Sequence, residues 1–102
     1  MTGAGDPDPS DANAITRLMK IVNEKGLHAR ASAKFVQTVE RFDARVTVSR
    51  GSESAGGDSI MGLMMLAAGI GTSISVSATG LEAAQCIDAL DALVSSKFGE
   101  EE

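Results

Sequence analysis

Apolar and polar positions along the chain switch between a period of two and a period of three to four. From Ile15 to Val22, the residues Ile15, Arg17, Met19 and Ile21 fall against Thr16, Leu18, Lys20 and Val22. That impure alternation predicts a first strand, and Asn23 to Gly26 supply its turn. From Ala29 to Phe42 there is neither Pro nor Gly, and Ala29, Ala33, Val36, Val39 and Phe42 recur at helical spacing. A helix with one apolar stripe is expected there, starting directly after His28. Ala44 to Arg50 reads as a second strand through Val46 and Val48, Gly51 marks a turn, and Ser52 to Gly57 forms a weak third strand. Ser59 to Ala67 reads as a short helix with Asp58 or Ser59 as its cap and Gly69 as its close. Thr72 to Ala78 alternates most cleanly, with Ile74, Val76 and Ala78 against Ser73, Ser75 and Ser77. A last helix begins near Gly80, carries Leu81, Ala84, Ile87, Leu90 or Ala92, and Val94 inward, and ends before Gly99.

The resulting order, β-α-β-β-α-β-α, predicts an α/β open-faced two-layer sandwich: one sheet with its helices on one face. At 102 residues the chain fits one domain, taken as 15–102. Residues 1–14 hold both prolines, several acidic residues and no large apolar residue beyond Met1, and are expected to form a disordered tail.

Hydrophobic residues at 43% and charged residues at 23% suit a folded chain. The net charge of −5 and the lack of any basic run argue against nucleic acid. Cys86 is the only cysteine, so an intramolecular disulfide is ruled out and a thiolate zinc site lacks ligands. No metal or cofactor is expected, and a reducing cytoplasm fits. The longest apolar stretch, Ile60 to Ala68, falls short of the ~20 residues that a membrane-spanning helix needs. The N-terminus has neither the basic cap nor the apolar core of a secretory signal, so none is expected.

Two places carry candidate chemistry. His28 sits between a glycine-containing loop and a helix start, where unsatisfied backbone N–H groups favour anions. Neutral imidazole is a competent nucleophile toward phosphorus, and Arg30 could pair with phosphate oxygens through its planar donor fork. An isolated histidine in such a place is equally well an ordinary surface or capping residue, and spacing alone leaves both readings open. The second helix is apolar around its whole circumference, through Ile60, Met61, Leu63, Met64, Met65 and Leu66. A short helix on one sheet face cannot bury every side, so part of it should form an apolar partner patch. A dimer interface is the competing explanation.

Three segments together resemble a known family. Gly26-Leu27-His28-Ala29-Arg30 leads into Ala33-Lys34-Phe35-Val36, then come Ser59-Ile60-Met61-Gly62-Leu63-Met64 and Ala78-Thr79-Gly80 before the last helix. In this order and spacing they resemble HPr, the histidine-containing phosphocarrier of the bacterial phosphotransferase system, from about Ile15 to Phe98. The resemblance implies an antiparallel sheet in the order 1-4-2-3. It implies that His28 accepts a phosphoryl group on Nδ1 (the pros nitrogen) from phospho-enzyme I and donates it to an enzyme IIA domain, with Arg30 stabilising the phosphate. Ser59 then stands at the position that a dedicated serine kinase and phosphorylase regulate in some members. Ile60, Met61 and Met64 fall to the partner surface, and the carrier is expected to be a monomer. The chain departs from the family pattern at Ala31, where proline is usual, and at Gly62, which is basic in some enteric members; Arg30, Lys34 and Arg41 could still supply positive charge toward enzyme I. The methionine-rich helix and Lys97-Phe98-Gly99 with its acidic ending resemble proteobacterial carriers, which slightly favours a nitrogen-type regulatory branch over sugar transport.

Two rival functions belong to other classes. One is a protein-binding regulatory module that uses phosphorylation as a signal without onward transfer, and the other is a small homodimeric structural module. Retention of both His28 and Arg30 favours the relay over the first, and a monomeric sedimentation profile would count against the second.

Overall fold

Segments Ile15–Lys20 (β1), Arg45–Arg50 (β2), Glu53–Gly56 (β3) and Ser73–Thr79 (β4) pair into one antiparallel sheet, in the order β1-β4-β2-β3. The computed structural model describes residues 14–100, so the expected tail lies outside the described residues except for Ala14. Between the strands run Ala29–Glu40 (α1), Ile60–Met65 (α2) and Ala83–Ser95 (α3), and a 3-10 turn at Lys97–Gly99 closes the order. The open-faced α/β sandwich, the element order and the 1-4-2-3 sheet are therefore all present.

The clean alternation of the fourth strand puts it at the centre of the sheet. It pairs with β1 from Ile15↔Ala78 to Lys20↔Ser73 and with β2 through Val46↔Ala78 and Val48↔Val76. Ile74, Val76 and Ala78 are completely buried with Val48, and Phe35, Leu63, Ile87 and Leu90 of the helices meet them from one side. Each large apolar side chain taken fully out of water contributes roughly 1.5–3 kcal/mol. This one-sided core is what holds the layers together. Across it, Arg17 on β1 reaches Asp88 at 3.0 Å and Asp91 at 3.1 Å on α3. The Asp88 hydrogen bond does most to strengthen the guanidinium's hold on its proton.

The buried faces of two helices differ from the expected ones. In α1 the inward residues are Ala31, Ser32, Phe35, Val36, Thr38 and Val39, while Ala29 is exposed and Ala33 and Phe42 are only half-buried. Ser32 and Thr38 enter the core because their hydroxyls donate to the Leu27 and Lys34 carbonyls, which removes the penalty of burying them. In α3, Leu81 and Ala84 are exposed, and Leu90 rather than Ala92 faces inward beside Ala83, Cys86, Ile87 and Val94. That helix begins three residues after Gly80, whose φ of +118° and close approach to the Asp43 carbonyl suit only glycine. Glu82 then clasps Asp43, accepting its N–H at 2.7 Å and donating its own to the Asp43 carbonyl at 2.9 Å. The second helix stops at Met65, short of the expected Ala67, because Ala67 adopts a left-handed φ of 54°.

Candidate functional site

His28 is the N-cap residue of α1, with extended backbone at φ −76° and ψ −178°. Its carbonyl accepts the Ser32 N–H at 2.8 Å, so the helix starts on it, but its side chain does not cap the helix. The imidazole is therefore left for other work, beside the unsatisfied N–H groups of the first turn. Ala31, buried in that turn, keeps an N–H that a proline there would lack.

The loop that carries His28 is fixed by a close backbone approach. Gly26 has φ +64°, and a Cβ there would lie 2.3 Å from the Ala68 carbonyl oxygen. Next to it, the Leu27 N–H donates to that same oxygen at 3.0 Å. The exit of α2 and the approach to His28 are thus one unit, which only glycine at 26 permits. Asn23, fully buried, braces the loop from within by donating to the Gly26 carbonyl at 2.9 Å.

A third segment, which sequence reasoning did not place here, completes the site. After α3 the chain turns back through Lys97, Phe98 and Gly99, all with left-handed φ (61°, 56° and 73°). Left-handed geometry costs a non-glycine residue about 1–2 kcal/mol. Phe98 is fully buried, and the roughly 1.5–3 kcal/mol from that burial is large enough to offset much of the strain. Lys34 Nζ adds a 2.6 Å bond to the Phe98 carbonyl, and the Gly99 and Glu100 N–H groups close the turn on Ser96 and Lys97. The turn delivers the Glu100 carboxylate onto His28 Nε2, a short contact, while its other oxygen accepts from Asn23 Nδ2 at 3.2 Å. Burial alone would raise the Glu100 carboxyl, but the hydrogen bonds from His28 and Asn23 and the charges of His28 and Lys25 outweigh it, holding the group below its ordinary value.

An open cleft of about 440 Å³ remains over this arrangement, lined by Lys25, His28, Ala29, Arg30, Lys34, Gly99 and Glu100. Of the expected residues, the structure brings His28, Arg30 and Lys34 together there; Lys25 and Glu100 are additions. No cluster of His, Cys, Asp and Glu suited to a metal occurs among the described residues. Nothing in the spacing could have announced Glu100, which lies 72 residues from its partner.

Ser59 is elsewhere, at the N-cap of α2, its Oγ accepting the Gly62 N–H at 2.9 Å. Around it, Ile60, Met61, Met64 and Met65 are exposed, Met61 by 70% and Met65 by 76%, while Leu63 and Leu66 are buried. The helix presents an apolar outer face as expected, and it packs on α1 with its inner one. Gly62 sits tightly: a Cβ there would meet Ser59 Oγ at 2.9 Å and Ala55 Cβ at 3.0 Å.

Comparison with known proteins gives a consistent picture. The family signature described as PTS HPr component phosphorylation site matches residues 15–96. The chain is 46% identical over 88 residues to the phosphocarrier protein HPr of Cupriavidus necator, covering 86% of this chain and 99% of that protein. It is 40% identical over 86 residues to the phosphocarrier protein NPr of Shewanella violacea, covering 84% and 94%. Among solved structures, HPr-C-His from Thermoanaerobacter tengcongensis superposes with a TM-score of 0.82 at 39% identity, covering 86% of this chain and 99% of that one.

Proposed function

Because the chain belongs to the HPr family, the phosphocarriers of the phosphotransferase system, we propose that His28 is the residue that carries the phosphoryl group. It accepts the group on Nδ1 from phosphorylated enzyme I and donates it to an enzyme IIA domain. The observation that carries this reading is an imidazole at a helix start, in a cleft lined by three cations, Lys25, Arg30 and Lys34. The Nδ1 lone pair attacks phosphorus as the bond to the donor breaks, and the phosphoryl oxygens arrive beside the first-turn N–H groups of α1. Arg30, exposed in that turn, offers a planar pair of donors to those oxygens, so its role is to hold the charge that transfer brings in. A relay needs no cofactor, because the P–N bond itself stores the transfer potential.

The exposed face of α2, with Ile60, Met61 and Met64, is the surface on which enzyme I and the enzyme IIA domain dock in turn. Such a carrier works as a monomer in the cytoplasm; no helix among the described residues is long and apolar enough to cross a membrane. Ser59 lies at the edge of that face, which supports a second, regulatory reading. A serine kinase that modifies it would set about −1.5 to −2 charges among the methionines and weaken docking.

The test is incubation of the full chain with phosphoenolpyruvate and enzyme I. One phosphate, labile to acid and stable to alkali, is expected on the wild-type protein and absent from His28→Ala; its persistence in that variant refutes the assignment. For Ser59, transfer is expected to be slower in Ser59→Asp than in Ser59→Ala, with the gap narrowing as salt is added. Equal rates at low salt would leave Ser59 as a helix cap.

A further inference from the structure

We propose that Glu100 is a positioning residue for phosphoryl transfer: its carboxylate holds the imidazole proton of His28 on Nε2, so that Nδ1 presents its lone pair to phosphorus and later leaves as part of a neutral ring. The proposal rests on His28 being the phosphoryl acceptor and names what sets its chemistry. A neutral imidazole carries one N–H, and which nitrogen holds it is decided by the partner of the other. Here the partner of Nε2 is a carboxylate, which accepts only. The proton therefore stays on Nε2, and Nδ1 is left as the nucleophile.

The carboxylate is held where it is needed. One oxygen takes the His28 N–H and the other takes the Asn23 amide, whose nitrogen also donates to the Gly26 carbonyl of the histidine loop. The Glu100 side chain is 12% exposed and the His28 side chain 27%, so water competes weakly for either. Upstream, the left-handed run from Lys97 to Gly99 and the Lys34 bond to the Phe98 carbonyl aim the segment at the cleft. A surface glutamate that met histidine by chance would not need two consecutive non-glycine residues, Lys97 and Phe98, in a disfavoured backbone region to reach it.

The same contact serves both directions of transfer. On acceptance, the Nδ1 lone pair forms the N–P bond while the bond from phosphorus to the donor breaks, and the ring becomes a phosphoimidazolium whose positive charge lies against Glu100. On donation, the N–P electron pair returns to Nδ1 as the acceptor's nucleophile bonds phosphorus, and the ring departs as neutral imidazole. No proton has to arrive or leave, because Nε2 has kept it throughout. This is the division of labour of a carboxylate that orients a histidine in hydrolytic triads. The other charged groups facing His28 are Lys25 of the loop and Arg30 and Lys34 of α1, all cations, so one carboxylate on the far nitrogen does not turn the cleft anionic.

The chain has a single histidine, so nitrogen-15 NMR of the full protein reads its tautomer without ambiguity. The Nε2–H form should dominate in the wild type and lose that dominance in Glu100→Ala. Transfer from phosphorylated enzyme I should slow by about 10- to 100-fold in Glu100→Ala, the range seen when a metal-binding histidine loses the carboxylate that orients it. Glu100→Gln, which can still accept the N–H but carries no charge, should retain the tautomer and transfer at a rate between those of the wild type and Glu100→Ala. An unchanged tautomer and an unchanged transfer rate in Glu100→Ala, with His28 still phosphorylated, overturn the positioning role, and so does faster transfer, which would make Glu100 a brake. Failure of the wild-type protein to gain phosphate at His28 instead overturns the acceptor assignment.

Discussion

The cleft at His28 and the outer face of α2 are built in opposite ways. The cleft is assembled from the Asn23–His28 loop, the start of α1 and the turn at Lys97–Gly99, and the α2–β4 loop braces its floor. Buried polar bonds, a glycine pressed on a carbonyl and a strained turn fix it. The α2 face is a six-residue helix whose Met61, Met64 and Met65 simply point outward. Under the proposed function, the contrast teaches that atoms which exchange a phosphoryl group need geometry imposed from far away in the chain, whereas a surface serving several partners needs only adaptable side chains close together.

The largest test of this contrast is removal of the anchor under the turn. Phe98→Ala should destabilise the protein by about 3–5 kcal/mol, as expected for truncating a fully buried phenylalanine, and should release Glu100 from His28. Denaturant unfolding and the histidine NMR signal read the two effects; a loss below about 1 kcal/mol would mean that the turn is held by its backbone bonds alone. Gly26→Ala comes next, because it combines a left-handed φ with a 2.3 Å clash against backbone. A loss of about 1–3 kcal/mol is expected, together with slower transfer at His28. Normal stability there would show that the two loops can part without harm.

On the other side of the comparison, Met61→Ala should leave unfolding free energy within about 0.5 kcal/mol, since the side chain is 70% exposed. Binding to enzyme I, measured by calorimetry, should weaken by about 2 kcal/mol if Met61 is a central contact. A stability loss without a binding loss would reverse the assignment of the two regions. The smallest effect concerns pH. The Glu100 carboxyl lies below its ordinary value in the fold, so its stabilisation is present above that value and is lost as pH falls through the lower, folded one. The Tm difference between wild type and Glu100→Gln should be greatest near neutrality and close in acid; a difference independent of pH would show that the charge contributes nothing.

The same contrast governs what could be read in advance. Ser59, the methionines and the alternation of Ile74, Val76 and Ala78 are local signals, and the structure shows the cap, the exposed face and the central strand they imply. His28 and Arg30 were legible from a five-residue motif, and both line the cleft, though their chemical roles rest on the proposed function. Glu100 was not, because two left-handed residues other than glycine have no compositional mark. In α1 the expected stripe took Ala29 and Ala33 and passed over Phe35, because hydropathy does not see that Ser32 and Thr38 satisfy their hydroxyls on the backbone and so join the buried face. Leu81 misled for a related reason: it belongs to the clasp between Gly80 and Asp43, where backbone demands outrank its apolar side chain.

The pairing of β1 with β4 has a consequence in time. Ile15 meets Ala78, 63 positions later (78 − 15), so the first strand emerges from the ribosome long before its partner exists. Contacts of such wide separation form late, after the loop-closure entropy has been met. A nascent chain therefore lacks the full lining of the His28 cleft until the turn at Lys97–Gly99 and Glu100 have been synthesised. Stalled chains ending before residue 73 should accept no phosphate from enzyme I, which could be checked on ribosome-bound intermediates; labelling of such chains would show that the motif alone is enough. Under the proposed function, competence at His28 then arrives only with the turn at Lys97–Gly99, and shorter nascent chains cannot draw phosphate out of the relay.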